Sequence, residues 1–243
     1  MRYLITVFFY FCIQNIAFST PLKDFTARYE IYHNGFFVGK AARKLTHDKE
    51  FLIFSSEAKT AGMASWFFDV TITEASKLKF ENNKLNFYSF DYYKKKNSKI
   101  ETYKLHLDDK NKFYNSYKKQ HFPVTNDLHD TLGFIAAIMH DLKMGQRKLP
   151  YTVAEKSKVR TYFLKFIKKE NLTTSSGEIT TLKMEHYDPK KDQRITIWCA
   201  PDMDYLPIKI LNINNNGDEN LLHLTHHNQR PIYLNLDEDE NEF

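Results

Sequence analysis

The sequence predicts a mostly β protein: a single curved antiparallel sheet, or a half-open barrel, built as a meander with one mid-chain helix packed on it. Three observations carry this reading. Apolar and polar residues alternate over one segment after another, which is the period of a strand with one buried face. Short turn sequences separate these segments and favour antiparallel pairing between chain neighbours. The chain of 243 residues also holds 20 Phe and 15 Tyr, and rings suit a pleated, half-buried surface.

The alternation begins at once, with Phe25, Ala27, Tyr29 and Ile31 on one face and Thr26, Arg28 and Glu30 on the other. Asn34-Gly35 follows, a pair that readily takes positive φ in a two-residue hairpin turn, so "FFVGKAARKL" (Phe36 to Leu45) returns antiparallel. Further strands are expected over Phe51 to Thr60, Trp66 to Phe80, Leu85 to Lys95, Ile100 to Asp108 and Phe113 to Lys119. The period then changes. In Thr125 to Gln146, Leu128, Leu132, Ile135, Met139 and Leu142 recur at helical spacing, and Phe134 and Ile138 widen the stripe enough to bury the helix against a sheet. Asn126 or Asp127 suits its start and Gly145 its end. Strands resume over Lys148 to Glu170, Ile179 to Tyr187, the two arms of "ITIWCAPDMDYLPIKI" (Ile195 to Ile210) and Asn214 to His227.

The ends read differently. Met1 and Arg2 precede the apolar run Tyr3 to Cys12, and Ala17-Phe18-Ser19 offers small residues where a signal peptidase reads. Residues 1–19 are therefore expected to be a cleaved export signal, residues 20–230 one β-rich domain and residues 231–243 an acidic, disordered tail. The run is too short for a membrane span, which needs about 20 apolar residues, so no integral span is expected after cleavage and the periplasm is the expected location. The alternative is an uncleaved N-terminal anchor. Cys12 would leave with the signal, and Cys199, alone in the mature chain, reads as a small buried hydrophobe. The formal charge of +5 is mild. The lysines of "YYKKKNSK" (Tyr92 to Lys99) read as a solvated hairpin tip, with anionic lipid headgroups as the alternative, and an exported chain gives no reason to expect a nucleic-acid partner.

No constellation carries catalysis. His223 and His227 would share one face of a strand and His226 the other, which leaves two ligands for a metal, and neither H-E-x-x-H nor C-x-x-C occurs. There is no G-x-S-x-G elbow, no base or positive charge beside Cys199 and no glycine-rich phosphate loop. No cofactor and no metal is expected, and the chain does not read as an enzyme. Asp202 and Asp204 are two apart in "APDMDYLP", where carboxylates after a proline chiefly cap a turn; Trp198 and Tyr205 are expected to pack at its two ends. If this loop binds a ligand, Trp198, Asp202, Asp204 and Tyr205 are the candidates.

Three stretches, "FTARYEIYHNGFFVGKAARKLT", "HDTLGFIAAIMHDLKMG" and "WCAPDMDYLPIKI", stand in an order and spacing that resembles the bacterial envelope family labelled domain of unknown function 3108, over roughly Phe25 to Thr225. The resemblance implies an exported, β-rich protein of Gram-negative bacteria, with no catalytic residues to carry over. A weaker, architectural likeness is to the half-barrel of lipoprotein carriers, in which a curved sheet shelters an acyl chain. Three functions follow in order of support. The first is a non-enzymatic protein binding a lipid, acyl chain or other amphipathic envelope component between sheet and helix. The second is a structural protein docking an envelope partner, and the third a hydrolase of an envelope polymer using Asp202 and Asp204.

Overall fold

The computed structural model describes residues 22–232 apart from 82, 109–111, 123–127 and 176. The expected signal peptide, the cap candidates Asn126 and Asp127, and the tail from residue 233 onward lie outside the described residues. Eight strands form a first wing, each paired with the next: β1 (Phe25–His33), β2 (Phe36–Asp48), β3 (Phe51–Thr60), β4 (Val70–Glu81), β5 (Lys84–Lys96), β6 (Lys99–Leu107), β7 (Phe113–Asn115) and β8 (Gln120–Phe122). A second wing runs through β10 (Lys148–Ala154), β11 (Val159–Thr174), β12 (Gly177–Asp188), β13 (Gln193–Ala200), β14 (Leu206–Ile213) and β15 (Glu219–His227). Antiparallel pairing of β1 with β15 joins the wings into one long sheet that does not close. The short β9 (Leu128–Asp130) adds to β10 in parallel, against the antiparallel pattern elsewhere, and β16 (Arg230–Pro231) adds to β15.

The first hairpin forms as its sequence dictates, with Asn34 at φ 48° and Gly35 at φ 76°, the left-handed pair that a tight two-residue turn between twisted strands requires. Three expectations need correction. The strand expected over Phe113 to Lys119 ends at Asn115, where a turn over residues 116–119 begins. The stretch from Trp66 to Asp69 does not begin a strand: Ala64–Phe67 is a single helical turn, α1, and β4 starts only at Val70. The mid-chain helix, α2, spans Gly133–Lys143 and not Thr125 to Gln146, because Leu128 belongs to β9 and Asp130 supplies the cap. The Asp130 Oδ1 atom accepts hydrogen bonds from the backbone N–H groups of Leu132 and Gly133, each at 2.8 Å, while Oδ2 accepts from the Ser76 hydroxyl at 2.6 Å. A side chain added at Gly133 would meet that same carboxylate at 2.7 Å, so glycine there lets the helix start against β4.

Helix α2 fills the bore of the curled sheet. Leu132, Ile135, Ala136 and Met139 pack into one cluster with Leu45, Phe54, Leu78, Phe87 and Phe90 of the first wing. On the opposite side Ala137, Ile138 and Leu142 pack with Val153, Leu164, Met184 and Ile197 of the second. A helix buried between two wings needs apolar residues nearly all round, which is why its stripe is so wide. Each fully buried Ile, Leu or Met contributes about 1.5–3 kcal/mol, and Ile138, Met139 and Leu142 are all completely buried. The fold continues two residues beyond the expected domain end, where Pro231 pairs in β16 and Ile232 is buried.

Candidate functional site

The strand ends form two rims. One rim carries the connection between β13 and β14, the loop that supplied the sequence's candidates. Asp204 sits there at φ 55° and Tyr205 at φ 61°, a strained pair for non-glycine residues that is held by its partners. Burial disfavours the Asp204 charge, but Lys143 at 2.9 Å and the backbone N–H of Lys23 at 2.9 Å hold its carboxyl below the usual range. The loop thus ties the end of α2 and the start of the domain to the sheet. Tyr205 packs against both core clusters. Asp202 lies exposed in a 3-10 turn, Pro201–Met203. Trp198 is buried at the end of β13 as a member of the larger core cluster, its ring flanked by Lys183 at 5.0 Å and Lys209 at 4.9 Å, its N–H donating to Glu170 at 2.8 Å. The four candidates do not converge on one hollow: Trp198 and Tyr205 pack into the core, Asp204 is held in an ion pair and Asp202 is exposed. Cys199 is completely buried, and burial raises its thiol far above the ordinary range.

The histidines also depart from the alternation read in the sequence. A bulge in β15 moves the register between Leu224 and His226, so His223 opposes Glu30 and His226 opposes Arg28 on one face, while the His227 ring lies 6.3 Å from that of Phe25. His223 and His226, not His223 and His227, share a side. Among the described residues no group of three or more His, Cys, Asp or Glu is placed to hold a metal ion.

The bore offers little room. Its apolar hollow, lined by Phe87, Leu105, Phe113 and Leu128 among others, measures about 10 Å³, against the 300 Å³ or more of a typical ligand pocket. Towards the second rim the packing turns polar. The Arg43 guanidinium lies over the Tyr29 ring at 5.2 Å, and Glu74 accepts from the Thr131 hydroxyl at 3.2 Å. Burial raises the carboxyls of both Glu74 and Asp130, the latter to about 6. Two shallow outer hollows, of about 290 and 500 Å³, cross β1 to β3 between Arg28, Ala42, Glu57 and His226. Their mixed charges suit no single class of ligand.

The second rim is where the sheet leaves apolar surface uncovered. It gathers the β1–β2 turn, the β3–β4 connection and the β5–β6 turn, with Met63 68% exposed, Trp66 82%, Phe67 78%, Phe36 70% and Ile100 63%. Hydrogen bonds hold the β3–β4 connection at both feet. Ala61 N–H donates to Val38 C=O at 3.1 Å, the Thr60 hydroxyl donates to Phe68 C=O at 3.1 Å and accepts from Val70 N–H at 3.1 Å, and Asp69 exchanges two bonds with Asn97. Sequence reasoning missed this site because "WFFDVTITEASKLKF" alternates from Asp69 onward and its first rings pass for strand residues. The available signal was "AGMASWFF", in which a glycine and small residues precede three consecutive rings with no polar partner face.

Among the described residues no helix is long and apolar enough to cross a membrane. A β-barrel-like protein of the domain of unknown function DUF1849 from Brucella abortus has a similar fold at a TM-score of 0.56 and 10% identity, covering 88% of this chain and 99% of that one. A DUF1089 family protein from Pseudomonas aeruginosa aligns at a TM-score of 0.40 and 8% identity, over 69% of this chain and 87% of that one. No curated protein matches the sequence. The profile of the family described as "Protein of unknown function (DUF3108)" matches residues 28–222, and with most of the chain inside that match, this chain belongs to the DUF3108 family.

Proposed function

We propose that this is a non-enzymatic protein exported to the bacterial envelope, where it binds an amphipathic envelope component on its exposed aromatic rim and not inside its bore. The observation that carries the reading is the uncovered apolar surface of Phe36, Met63, Trp66 and Phe67, each at least two-thirds exposed. Contiguous apolar surface of this kind on a monomer marks an interaction site, and tryptophan favours a boundary with one apolar and one wet side. The filled bore argues against shelter for an acyl chain between sheet and helix. The buried Cys199 and the ion pair of Asp204 with Lys143 leave Asp202 as the one free carboxylate of the pair on which the hydrolase reading rests. Flotation of the mature chain, from Thr20 onward, with phospholipid vesicles tests the proposal. Wild-type protein should rise with the lipid, and the double variant Trp66→Ser/Phe67→Ser should stay behind with its fold intact. Wild-type protein that remains at the bottom with every vesicle composition would remove the reading.

A further inference from the structure

Resting on that reading, the geometry points to the occupant of the rim: the surface of an anionic lipid bilayer, met end-on by the Met63 to Phe68 wedge, with the lysines of the neighbouring β5–β6 hairpin against its headgroups. Met63, Trp66 and Phe67 stand at least two-thirds exposed at the end of the sheet and line none of the hollows described above, so a fluid medium that closes around them fits better than a rigid ligand or a single acyl chain. Three of the wedge's backbone N–H groups are already paired locally, Ser65 N–H to Gly62 C=O, Trp66 N–H to Met63 C=O and Phe68 N–H to Ala64 C=O, at 3.1–3.2 Å. Ser65, which carries the one hydroxyl between Met63 and Phe68, turns it back onto Gly62 C=O at 2.7 Å. Backbone groups paired within the loop can enter a region poor in water without the cost of unmet hydrogen bonds.

Charge fixes the class of lipid. Pairing of β4 with β5 sets Lys96 opposite Val70, Lys95 opposite Thr71 and Lys94 opposite Ile72, directly beside the foot of the wedge, and Lys99 returns next to Lys96 on β6. Lys95 reaches Asp69 only at 3.9 Å, and Lys96 and Lys99 form no ion pair among the described residues. Rings at the centre with such lysines at the flank match the layout of an interface between hydrocarbon and negative headgroups. The bilayer then lies across this rim, and the loop carrying Asp204 faces away from it.

The chain contains two tryptophans, Trp66 and Trp198, so Trp198→Phe makes Trp66 the sole reporter. If that variant does not fold, the difference between wild type and Trp66→Phe carries the same signal. The mature protein is titrated with vesicles of phosphatidylcholine alone and with vesicles also containing phosphatidylglycerol. The expected result is a blue shift of Trp66 emission, quenched by lipids brominated near the headgroup, with partition at least about tenfold stronger into the anionic vesicles and weakening as salt is added. Each lysine near such a surface is worth roughly fivefold, so Lys96→Gln/Lys99→Gln should lose on the order of tenfold or more on anionic vesicles and little on neutral ones. Equal partition into both vesicles would overturn the anionic assignment while leaving the amphipathic rim intact. Binding to neither would remove the rim reading as well. Self-association lost in Trp66→Ser/Phe67→Ser, without any vesicle shift, would assign the rim to a second copy of the chain and overturn the bilayer.

Discussion

The two rims of this sheet use opposite kinds of residue in opposite ways. The rim with the β13–β14 loop holds the groups usually associated with chemistry: carboxylates, a lysine and a nearby thiol. There the charges neutralise one another, with Asp204 between Lys143 and the Lys23 backbone. The other rim holds groups usually associated with a core, Trp66, Phe67 and Met63, and leaves them in solvent. The lesson is that residue type alone does not locate a site. A carboxylate with partners is structure, and an aromatic ring without them is an unfilled interaction.

That contrast predicts opposite responses to mutation. The largest effect is expected at the polar start of α2, where Asp130→Ala removes three hydrogen bonds to a fully buried carboxyl. It should cost about 2–4 kcal/mol in urea unfolding, and a loss below about 1 kcal/mol would show that the helix does not depend on this cap. Next comes Asp204→Ala, which removes the ion pair with the partly buried Lys143 and the acceptor of the Lys23 backbone N–H and should cost about 1–3 kcal/mol, visible as a lowered melting temperature. If the stability stayed unchanged, the loop would be free for another role and the contrast between rims would fail.

The pH dependence sharpens the same comparison. The Asp130 carboxyl is raised by burial from 3.8 to about 6, so between these values the folded state binds more protons than the unfolded one. This group's contribution is therefore full below about pH 4 and falls as pH rises towards 6. Glu74, also raised by burial, acts in the same direction. His223 and His227, lowered by burial, act in the opposite one by disfavouring the folded state as pH falls below their ordinary value. Comparison of wild type with Asp130→Asn isolates the first contribution: the variant should gain stability relative to wild type from pH 4 to pH 6, and parallel curves would exclude a raised Asp130. The smallest effect belongs to the aromatic rim, where Trp66→Ser/Phe67→Ser should change stability by no more than about 0.5 kcal/mol because neither ring is buried. A larger loss would mean that these rings support the fold.

Much of the architecture is legible along the chain because strand periodicity and turn chemistry are local. Phe25, Ala27 and Tyr29 alternate, Asn34-Gly35 makes its turn, and the β11–β15 segments follow in the expected order. The errors fall where a distant partner intervenes. Leu128 keeps a helical spacing to Leu132, yet it pairs in parallel with Thr152 of β10. Simple alternation places His227 beside His223, and a single bulge against β1 exchanges it for His226. Trp66 resembles the first residue of a strand because nothing local reveals that its ring meets no neighbour.

By itself the sequence determined a β-rich chain with one apolar helix in its middle and a family membership borne by three motifs in order. These depend on side-chain period, turn dihedrals and local composition, all properties of short stretches. Only the tertiary structure decided that the helix fills the bore, that Asp130 and Asp204 are held in place by groups far along the chain, and that the aromatic turn is left bare at one rim. Those outcomes depend on which surfaces two wings of a curled sheet bring together and which they leave apart.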